Sequence, residues 1–352
     1  MESTGKSVIT LTGIDLAKEV VEVRCEDAES NKIKGQSLKR ENLIPFLQKL
    51  PKGSTVVMEA CGSANHYARE CQNLGLIARL IAPQHVKRFR IGQKNDKNDA
   101  TAICLTARQK GVPSVSIKSA EQLEMQRQHR MREKITRDRT ATINQIHGFV
   151  YDQGLILKKG GSNFKARVEE IVTKLGEDSD FGVTLKLLLE QFEQFTKWLG
   201  VLTKKIYQAV KTSEPVKKIM ELSGIGPIVG SALVAHIGDP SSFKNGRCFA
   251  ASLGLVARQH STGGKPMLGG ITKSGDSYIR KQLIHGARSA VRAAMLKTTS
   301  KDPHILWIQQ LQARAGTNRT AVAVANKTAR CAWAILAGKQ PFVQPLPKPV
   351  TQ

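Results

Sequence analysis

Apolar and polar residues alternate over much of the first eighty positions, which is the pattern of β-strands that bury one face. The alternation and two short apolar runs predict strands at 7–14, 19–24, 32–38, 54–58 and 76–81. The first of these strands leads into Asp15 and the fourth into Glu59. We therefore expect both carboxylates at the same edge of neighbouring strands.

Helical spacing of apolar residues separates these strands. It predicts helices at 41–50, at 64–74 and from Asp96 to about Lys110, the last after a break at Pro83. Three strands followed by alternating helices and strands is the order of the RNase H-like fold, an analogy that by itself implies no function. We predict that residues 1–118 form an α/β domain of this type.

The pattern becomes helical in the middle of the chain. Residues 121–146 are predicted to form one long helix rich in arginine. Between Leu188 and Ile206, apolar residues recur in alternating steps of four and three, which indicates a short coiled coil or an antiparallel helix pair. Self-association and packing inside one monomer explain this stripe equally well. We assign 119–212 to a basic helix and coiled-coil connector.

Residues 213–340 are predicted to form a mainly α-helical C-terminal domain. Residues 219–227 and the apolar residues after them fit a helix-hairpin-helix, with a Gly-Ile-Gly turn between the helices. In such a turn, Gly224 and Gly226 let backbone amides approach phosphate oxygens at a helix N-terminus. A plain helical turn is the alternative interpretation.

Two more helices are predicted in this half, from Arg280 to Ala294 and from Val322 to Leu336. The segment 258–280 before them is rich in glycine, basic residues and hydroxyl groups, as expected of a loop that folds closely around phosphate. The proline-rich segment 341–352 is predicted to be a disordered tail.

Composition makes a polyanion the expected partner. The 352 residues include 54 Lys and Arg against 29 Asp and Glu, which gives a formal charge of +25. Nucleic acid is the leading candidate and an anionic membrane surface the second. The sequence has neither a run of about 18 apolar residues nor a signal-like N-terminus, so we expect a cytoplasmic, nucleoid-associated bacterial protein. Six scattered cysteines without zinc-site spacing are expected to be reduced core thiols.

Four carboxylates are the candidates for a metal site. Asp96 and Asp99, three positions apart at a helix start, project from one face, and the strand ends supply Asp15 and Glu59. Four converging carboxylates in a cationic protein can hold two divalent ions, a site suited to phosphodiester chemistry. Taken singly, Asp96 or Asp99 could instead be an N-cap, and the other two could be surface carboxylates.

Ser261 is a candidate nucleophile in the glycine-rich segment. Arg258, His260 and Lys265 surround it in sequence and could bind the attacked phosphate. Alone, such a serine is more often a turn residue, and an adjacent His260 is a weak candidate for its general base. The residues predicted to bind nucleic acid are Arg127, Arg130, Arg132, Arg137, Gly224, Gly226, Arg258, Lys265 and Lys273.

Several segments, in this order, closely resemble the DEDD insertion-sequence transposases of the one-ten / eleven-eleven group, which are related to the Piv-type DNA invertases. The similarity covers nearly all of the chain from Ser7 to Gly338 and is closer to the eleven-eleven branch. The segments are Gly13-Ile14-Asp15-Leu16-Ala17-Lys18, Met58-Glu59-Ala60-Cys61-Gly62-Ser63, Lys94-Asn95-Asp96-Lys97-Asn98-Asp99-Ala100, Gly224-Ile225-Gly226-Pro227, Leu253-Gly254-Leu255, Gln259-His260-Ser261-Thr262-Gly263-Gly264-Lys265 and Ala325-Asn326-Lys327.

The resemblance implies a RuvC-like N-terminal domain, a helical connector and a C-terminal transposase domain. By motif, Asp15, Glu59, Asp96 and Asp99 would be the catalytic set that binds Mg²⁺ or Mn²⁺, and Ser261 would attack DNA and become joined to it. The resemblance also implies donor and target DNA, a structured bridge RNA and a homo-oligomer, dimer or tetramer, as partners. Ser252, Ala257 and Thr262 depart from common family residues, which affects local packing more than chemistry.

Three other classes remain open at this point. A RuvC-like nuclease or Holliday-junction resolvase would hydrolyse DNA with metal-activated water and use the Ser261 loop only to bind phosphate. Actin-like ATPases and sugar kinases share the early strand order, but they explain neither the charge of +25 nor the Asp96 and Asp99 pair. An inactive nucleic-acid-binding module would use the basic helix and the glycine turn without catalysis.

Overall fold

The computed structural model of the chain describes residues 9–27, 33–93, 95–158, 160 and 163–339. They form two compact units, the first built from residues up to 120 together with 237–244, and the second from 121–236 together with the chain from 245 onward. The second unit thus contains both the segment predicted as a connector and the segment predicted as a C-terminal domain. The predicted tail at 341–352, the predicted strand start at Ser7 and Lys94 lie outside the described residues.

Strands dominate the first unit. They are β1 (Ile9–Leu16), β2 (Val20–Asp27), β3 (Ile33–Lys39), β4 (Thr55–Glu59), β5 (Ile77–Ile81) and β6 (Ser114–Val115). In the described part of the chain these six form one sheet, in the order β3-β2-β1-β4-β5-β6. The first three strands pair antiparallel, β4 and β5 continue parallel to β1, and β6 is antiparallel. The predicted α/β architecture is confirmed as a mixed sheet with helices.

Helices cover both faces of this sheet. They are α1 (Leu43–Gln48), α2 (Ala64–Asn73), α3 (Pro83–Phe89) and α4 (Asp96–Arg108), with a 3₁₀ turn at Arg40–Asn42. Helices α1 and α2 share a core with Ile14 and Met58, whereas α3 and α4 share one with Val57 and Ile81. The strand β5 ends at Ile81, before Pro83 as predicted, but this proline also occupies the first turn of α3, a helix that was not predicted. The missing N–H of the proline would have no intrahelical partner there anyway.

Helix α4 lies unusually close to the central strand because β1 has no side chain at Gly13. A Cβ built at Gly13 would come within 2.4 Å of Cys104 Sγ and 3.0 Å of the Ala100 carbonyl oxygen. Alternation along β1 places Asp15 on the same face as Gly13, and the N-terminus of α4 lies one turn before Ala100. The glycine therefore lets the helix bring its first turn near Asp15.

The second unit is mainly helical. Its helices are α5 (Ala120–Asp152), α6 (Phe164–Leu175), α7 (Asp180–Thr212), α8 (Glu214–Met220), α9 (Pro227–Ile237), α10 (Gly246–Ser252), α11 (Ser277–Met295) and α12 (Pro303–Leu336). A 3₁₀ turn at Pro240–Ser242 belongs to the first unit. Helix α12 is interrupted at Gly316, whose φ is 74°. The strands β7 (Ala257–Gln259) and β8 (Leu268–Ile271) pair antiparallel, so the segment predicted as a loop contains a β-hairpin.

A buried polar network joins three helices of this unit. His129 on α5 contacts the Tyr278 hydroxyl at 2.8 Å through Nδ1 and Ser231 Oγ at 2.9 Å through Nε2. Ser231 Oγ donates in turn to the carbonyl oxygen of Pro227. A neutral imidazole that carries its proton on Nε2 satisfies all of these bonds. Burial accordingly lowers the pKa of His129 to about 4.

The turn between α8 and α9 packs directly on α11. A Cβ at Gly224, whose φ is +85°, would lie 2.6 Å from the Gly286 carbonyl oxygen, and a Cβ at Gly286 would lie 2.0 Å from that of Gly224. Gly224 thus has a packing role, whereas a Cβ at Gly226 would meet nothing within 4 Å. Of the two turn glycines predicted to bind nucleic acid, Gly226 has the open surroundings that binding needs.

The apolar stripe predicted on α7 is largely used inside the monomer. Phe192 and Ile206 of that stripe are buried, and Phe192 packs in a core with α5 and α6. A different part of α7 remains open, since Leu187 is 62% exposed and Val201 49%. Among the described helices, none has the length and apolar character needed to cross a membrane.

The six cysteines are all free thiols, but they do not all lie in the core. Cys71 and Cys104 are buried, whereas Cys61 and Cys248 are exposed. The expectation of core thiols was therefore wrong for the two exposed residues.

The contact at Gly13 yields a stability prediction. Gly13→Ala should lower the free energy of unfolding by about 1–3 kcal/mol, because the new methyl group overpacks the interface with α4. The loss should be smaller in a Cys104→Ala background, where the nearest atom is gone. Urea unfolding of the four proteins of this cycle measures the coupling. Gly62→Ala is the control, since a Cβ there meets nothing within 4 Å, and an equal loss in both backgrounds would refute the proposed contact.

Candidate functional site: a row of carboxylates and an exposed serine

Polar side chains form a row across four neighbouring strands of the first unit. Asp15 on β1 pairs with Glu22 on β2, which pairs with Ser37 on β3. On the other side, Ile14 pairs with Met58 of β4, so Glu59 follows at the level of Asp15. Neighbouring strands are about 4.8 Å apart. The predicted adjacency of Asp15 and Glu59 is therefore present in the sheet.

The other two predicted acids come from the first turn of α4. Its N-cap is Asn95, whose side-chain oxygen accepts a hydrogen bond from the Asn98 amide at 2.7 Å. Asp96 and Asp99 are therefore not the caps of this helix, and their carboxylates are free of that role. The helix dipole favours negative charge at this end. Local structure thus tolerates two acids here without using either as a cap.

The carboxylates influence one another electrostatically. The pKa of Asp15 is raised from 3.8 to about 6, first by burial and then by the charges of Asp96, Asp99, Glu59 and Glu22. All four predicted acids therefore lie within electrostatic range of one point. Glu22, the remaining carboxylate that raises the pKa of Asp15, was not predicted as a site residue, because in the sequence it is one polar position of an alternating strand. Its place beside Asp15 follows only from strand register.

The donor set suits a divalent cation in chemistry and charge. Mg²⁺ and Mn²⁺ prefer carboxylate oxygens, and a cation would relieve the repulsion that raises the pKa of Asp15. Glu22 also carries a buried oxygen, Oε2, without a hydrogen-bond partner. As the side chains stand, no three His, Cys, Asp or Glu residues of the described chain are close enough together to hold a metal ion.

One cation of the protein already contacts this cluster. Arg90 Nη1, just after α3, donates to Asp99 Oδ1 at 3.1 Å, and both side chains are largely buried. The guanidinium partly neutralises the acids, and its hydrogen bond restricts the side chain of Asp99. A metal ion bound by Asp99 would compete with Arg90 for the same oxygen.

Ser261 belongs to the second unit and lies beside the tip of the hairpin formed by β7 and β8. Gly263 and Gly264 occupy the tip with φ of 58° and 77°, and a bridge joins Thr262 to Lys265 on either side. Two successive positive φ values are the requirement of a type I′ turn, which glycine meets without strain. Ser261 is exposed, and Gln259 Nε2 donates to its Oγ at 2.8 Å.

The basic residues predicted to assist Ser261 lie on both sides of the turn. Arg258 is within β7, whereas His260 and Ser261 follow the end of that strand at Gln259. Lys265 is exposed across the turn. All three basic residues are exposed, and their grouping around Ser261 remains a prediction.

Lys273 has a strained backbone next to this hairpin. With a φ of 58°, it alone among the described non-glycine residues has a positive φ, a conformation that costs roughly 1–3 kcal/mol. Its amide donates to the Gly254 carbonyl at 3.2 Å, and Arg280 Nη1 donates to the neighbouring Ser274 carbonyl at 3.0 Å. A Cβ at Gly254 would lie 2.5 Å from Ser274 N, which explains the glycine of the Leu-Gly-Leu segment.

A basic groove of about 1140 Å³ lies between the hairpin and α12. Ala257 of β7 and the residues of β8 line it from the hairpin side. Helix α12 contributes Lys327, which lies 4.3 Å above the ring of Trp307. Asn326 anchors the helix by donating to the Leu255 carbonyl at 3.1 Å. Arg319 and Arg330 also line the groove and were not predicted as site residues. The Ala-Asn-Lys segment was the one feature of the sequence that pointed to this side of the groove.

The basic helix α5 presents a charged stripe. Arg127, Arg130, Lys134 and Arg137 follow helical spacing and are exposed. They span ten residues, or about 15 Å of helix. Arg132 differs from the other predicted residues, because it is half-buried and its Nε donates to Thr203 Oγ1 on α7. Three of the four predicted arginines of this helix are therefore exposed, and Arg127 and Arg137 also pair with the acids Glu124 and Asp138 of the same helix.

Comparisons with known proteins agree over both units. A DEDD transposase profile of the IS110 type matches residues 12–152, and the profile of the transposase IS116/IS110/IS902 family matches 216–301. A probable family 20 transposase of Pseudomonas aeruginosa is 41% identical over 92% of this chain and 96% of its own. The transposase for insertion sequence element IS1111A of Coxiella burnetii is 34% identical over 95% and 91%, and that for IS1328 of Yersinia enterocolitica is 32% identical over 93% and 96%.

The crowding of acids yields a prediction with a defined sign. Because the pKa of Asp15 is about 6 in the folded chain and 3.8 ordinarily, its stabilising contribution is fully present below pH 3.8 and is lost as the pH rises through 6. In EDTA at pH 8, Asp15→Asn should therefore raise the free energy of unfolding by about 1–3 kcal/mol.

Urea unfolding at pH 8 and at pH 4 measures this effect. The advantage of the Asn variant should shrink toward zero at the lower pH. Asp152→Asn, a change at an exposed carboxylate, controls for the loss of one charge. A variant that is no more stable than the unaltered protein at pH 8 would contradict the proposed repulsion.

Proposed function

The chain belongs to the IS110 group of DEDD insertion-sequence transposases, and we propose that it cuts and rejoins DNA through Ser261 together with the carboxylates Asp15, Glu59, Asp96 and Asp99. The observation that carries this proposal is the electrostatic coupling of Asp15 to the other three acids. These residues belong to separated motifs of a protein with a formal charge of +25. The N-terminal domain is proposed to be RNase H-like and RuvC-like, as its strand order suggests.

The roles of the acids follow from their donor atoms. A divalent cation, Mg²⁺ or Mn²⁺, would polarise the phosphate and stabilise the departing oxygen when bound. Asp15, Glu59, Asp96 and Asp99 would hold it. Arg90 donates to Asp99 Oδ1 and would compete with a cation for that oxygen; if displaced, its guanidinium could bind a phosphate oxygen of the substrate.

Ser261 would supply the attacking hydroxyl. Its oxygen displaces the 3′ or 5′ oxygen of a phosphodiester, so one P–O bond forms as another breaks and the energy of the linkage is retained for rejoining. The hydroxyl proton passes to a base and the departing oxygen takes one up. Gln259 donates to Ser261 Oγ, which leaves the hydroxyl proton free and stabilises charge on the oxygen. Gln259 is thus a positioning residue.

Nucleic-acid contacts are proposed for three surfaces of the second unit. The exposed part of α5, the groove beside the hairpin and the loop around Lys273 are each basic. Arg127, Arg130, Arg137, Lys265 and Lys273 would bind phosphates, as would Arg258. The Gly226 turn, read as a helix-hairpin-helix, would add backbone amides.

The further partners rest on the family resemblance. We propose that a structured bridge RNA pairs with donor and target DNA, and that the protein acts as a homo-oligomer, dimer or tetramer. The exposed apolar residues of α7, Leu187 and Val201, offer a surface for self-association. These proposals account for the excess of positive charge better than a nuclease that acts alone.

The alternative function is a RuvC-like nuclease or junction resolvase that uses water as its nucleophile. It shares the acids, and the exposed Ser261 could serve such an enzyme as a phosphate-binding residue. The two functions differ in one product, since only attack by the serine leaves DNA covalently attached to the protein.

That difference gives the central test. With end-labelled donor DNA, Mg²⁺ and the RNA that co-purifies with the protein, denaturing electrophoresis should show a protein–DNA adduct. Ser261→Ala should remove the adduct and strand exchange entirely, because no other group replaces the nucleophile. Thr262→Ala changes the adjacent hydroxyl and should retain the adduct. Ribonuclease treatment should abolish it if RNA guides the reaction.

Two outcomes would contradict these assignments. An adduct that persists in Ser261→Ala would identify a different nucleophile. Cleaved DNA without any adduct in the unaltered protein would favour the nuclease.

The basic stripe of α5 gives a second prediction. Arg130→Ala with Arg137→Ala should weaken duplex DNA binding and reduce the slope of log K against log salt by about 2, because two phosphate contacts are lost. Fluorescence anisotropy between 50 and 300 mM salt measures both. Lys174→Ala with Lys211→Ala makes the same change in net charge on other helices and should leave the slope unchanged. Equal slopes for the two double variants would show that the stripe makes no specific phosphate contacts.

A further inference from the structure

Glu22 is a buried carboxylate with one oxygen unaccounted for. Its side chain on β2 is only 6% exposed, and Ser37 Oγ donates to its Oε1. The other oxygen, Oε2, is buried and has no hydrogen-bond partner. A buried carboxylate oxygen in this condition is unfavourable, because it has lost its hydration without gaining a hydrogen bond.

A second glutamate on the same strand shows how the chain satisfies a buried carboxylate elsewhere. Glu26 lies four residues farther along β2, on the same face, and is 7% exposed. Arg108 of α4 binds both of its oxygens, with Nε donating to Oε2 at 2.9 Å. The two glutamates are alike in strand, face and burial. They differ in that Glu26 has a cationic partner and Glu22 Oε2 has none.

Glu22 lies in the row of carboxylates, which indicates what kind of group could bind its Oε2. It pairs directly with Asp15 across β1 and β2, and Glu59 flanks Asp15 from the opposite side on β4. Glu22 and Glu59 are therefore placed on either side of Asp15 in the same row. Ser37 occupies one oxygen of Glu22, and the other, Oε2, is buried without a hydrogen-bond partner next to the strand that carries Asp15.

We propose that Glu22 is a fifth carboxylate of the cation site, whose Oε2 binds the divalent ion held by the four acids of the DEDD set. This inference rests on the proposed cation site and extends it to a residue outside the family motif. Ser37 is a positioning residue, which holds Oε1 so that Oε2 faces the ion. The burial of Glu22 then has a function, since a carboxylate kept from water binds a cation more strongly.

The experiment measures Mn²⁺ binding to the metal-free, full-length protein by isothermal titration calorimetry, without DNA or RNA. Glu22→Gln should weaken binding roughly 10–100-fold, while the near-identical shape of the amide preserves packing. Glu26→Gln is the matched control and should bind Mn²⁺ within about twofold of the unaltered protein. Ser37→Ala should give a smaller loss than Glu22→Gln, because the carboxylate remains but is less well oriented.

Thermal unfolding in EDTA supplies a second readout. Glu22→Gln should raise the melting temperature, since it removes a charge beside Asp15, whereas Glu26→Gln should lower it by leaving Arg108 without its partner. Added Mn²⁺ should then stabilise the unaltered protein more than Glu22→Gln. A purely structural Glu22 would instead give a lower melting temperature and unchanged Mn²⁺ affinity.

The outcomes separate this inference from the proposed function. If Asp15→Asn loses Mn²⁺ binding and Glu22→Gln binds as tightly as the unaltered protein, the inference fails and the DEDD site stands. If the unaltered protein binds no Mn²⁺, both fail. Weakened binding in Glu22→Gln with normal binding in Glu26→Gln supports a fifth carboxylate.

Discussion

The close approach of α4 to β1 at Gly13 is the contact on which the acid cluster depends. Two of the acids are fixed by the sheet, since Asp15 and Glu59 lie on adjacent strands in defined register. The other two come from a helix, and that helix can reach them only if its first turn lies directly over the strand. Any side chain at Gly13 would meet Cys104 and the backbone at Ala100. The absence of a side chain at Gly13 thus allows the carboxylates of α4 to lie near those of the sheet.

This arrangement brings like charges together and is therefore electrostatically unfavourable. A protein with 54 basic and 29 acidic residues could disperse its acids among its cations. Here, however, four carboxylates lie close enough to Asp15 for their charges to raise its pKa. Elsewhere the chain pairs buried acids with arginine, as Glu26 with Arg108. At the cluster, Asp99 has such a partner in Arg90. Repulsion retained in a folded protein is destabilising, and a bound cation is the simplest means by which it would be offset.

Local sequence signals predicted the frame of this site well and its details poorly. Alternation and strand order placed Asp15 beside Glu59 because periodicity and strand adjacency are properties of short segments. Glu22 could not be found in this way. Its place beside Asp15 depends on the pairing of β1 with β2, and the lack of a hydrogen-bond partner at its Oε2 is visible only in the folded structure. Likewise, Lys327 and Arg330 join the hairpin in one groove only through long-range packing of α12. Helix α3 was missed because the proline in its first turn was interpreted only as a break, although proline also favours that position of a helix.

The hairpin around Ser261 shows why neither half of the proposed chemistry is complete alone. The type I′ tip and the bond from Gln259 hold the hydroxyl in a defined, exposed place. However, the Gln259 side-chain amide that donates to Ser261 Oγ cannot accept the proton of the attacking hydroxyl. The carboxylates of the first unit have the opposite character, because they accept protons and cations but include no nucleophile. In the proposed reaction, the base that takes the Ser261 proton is therefore a group other than the Gln259 amide.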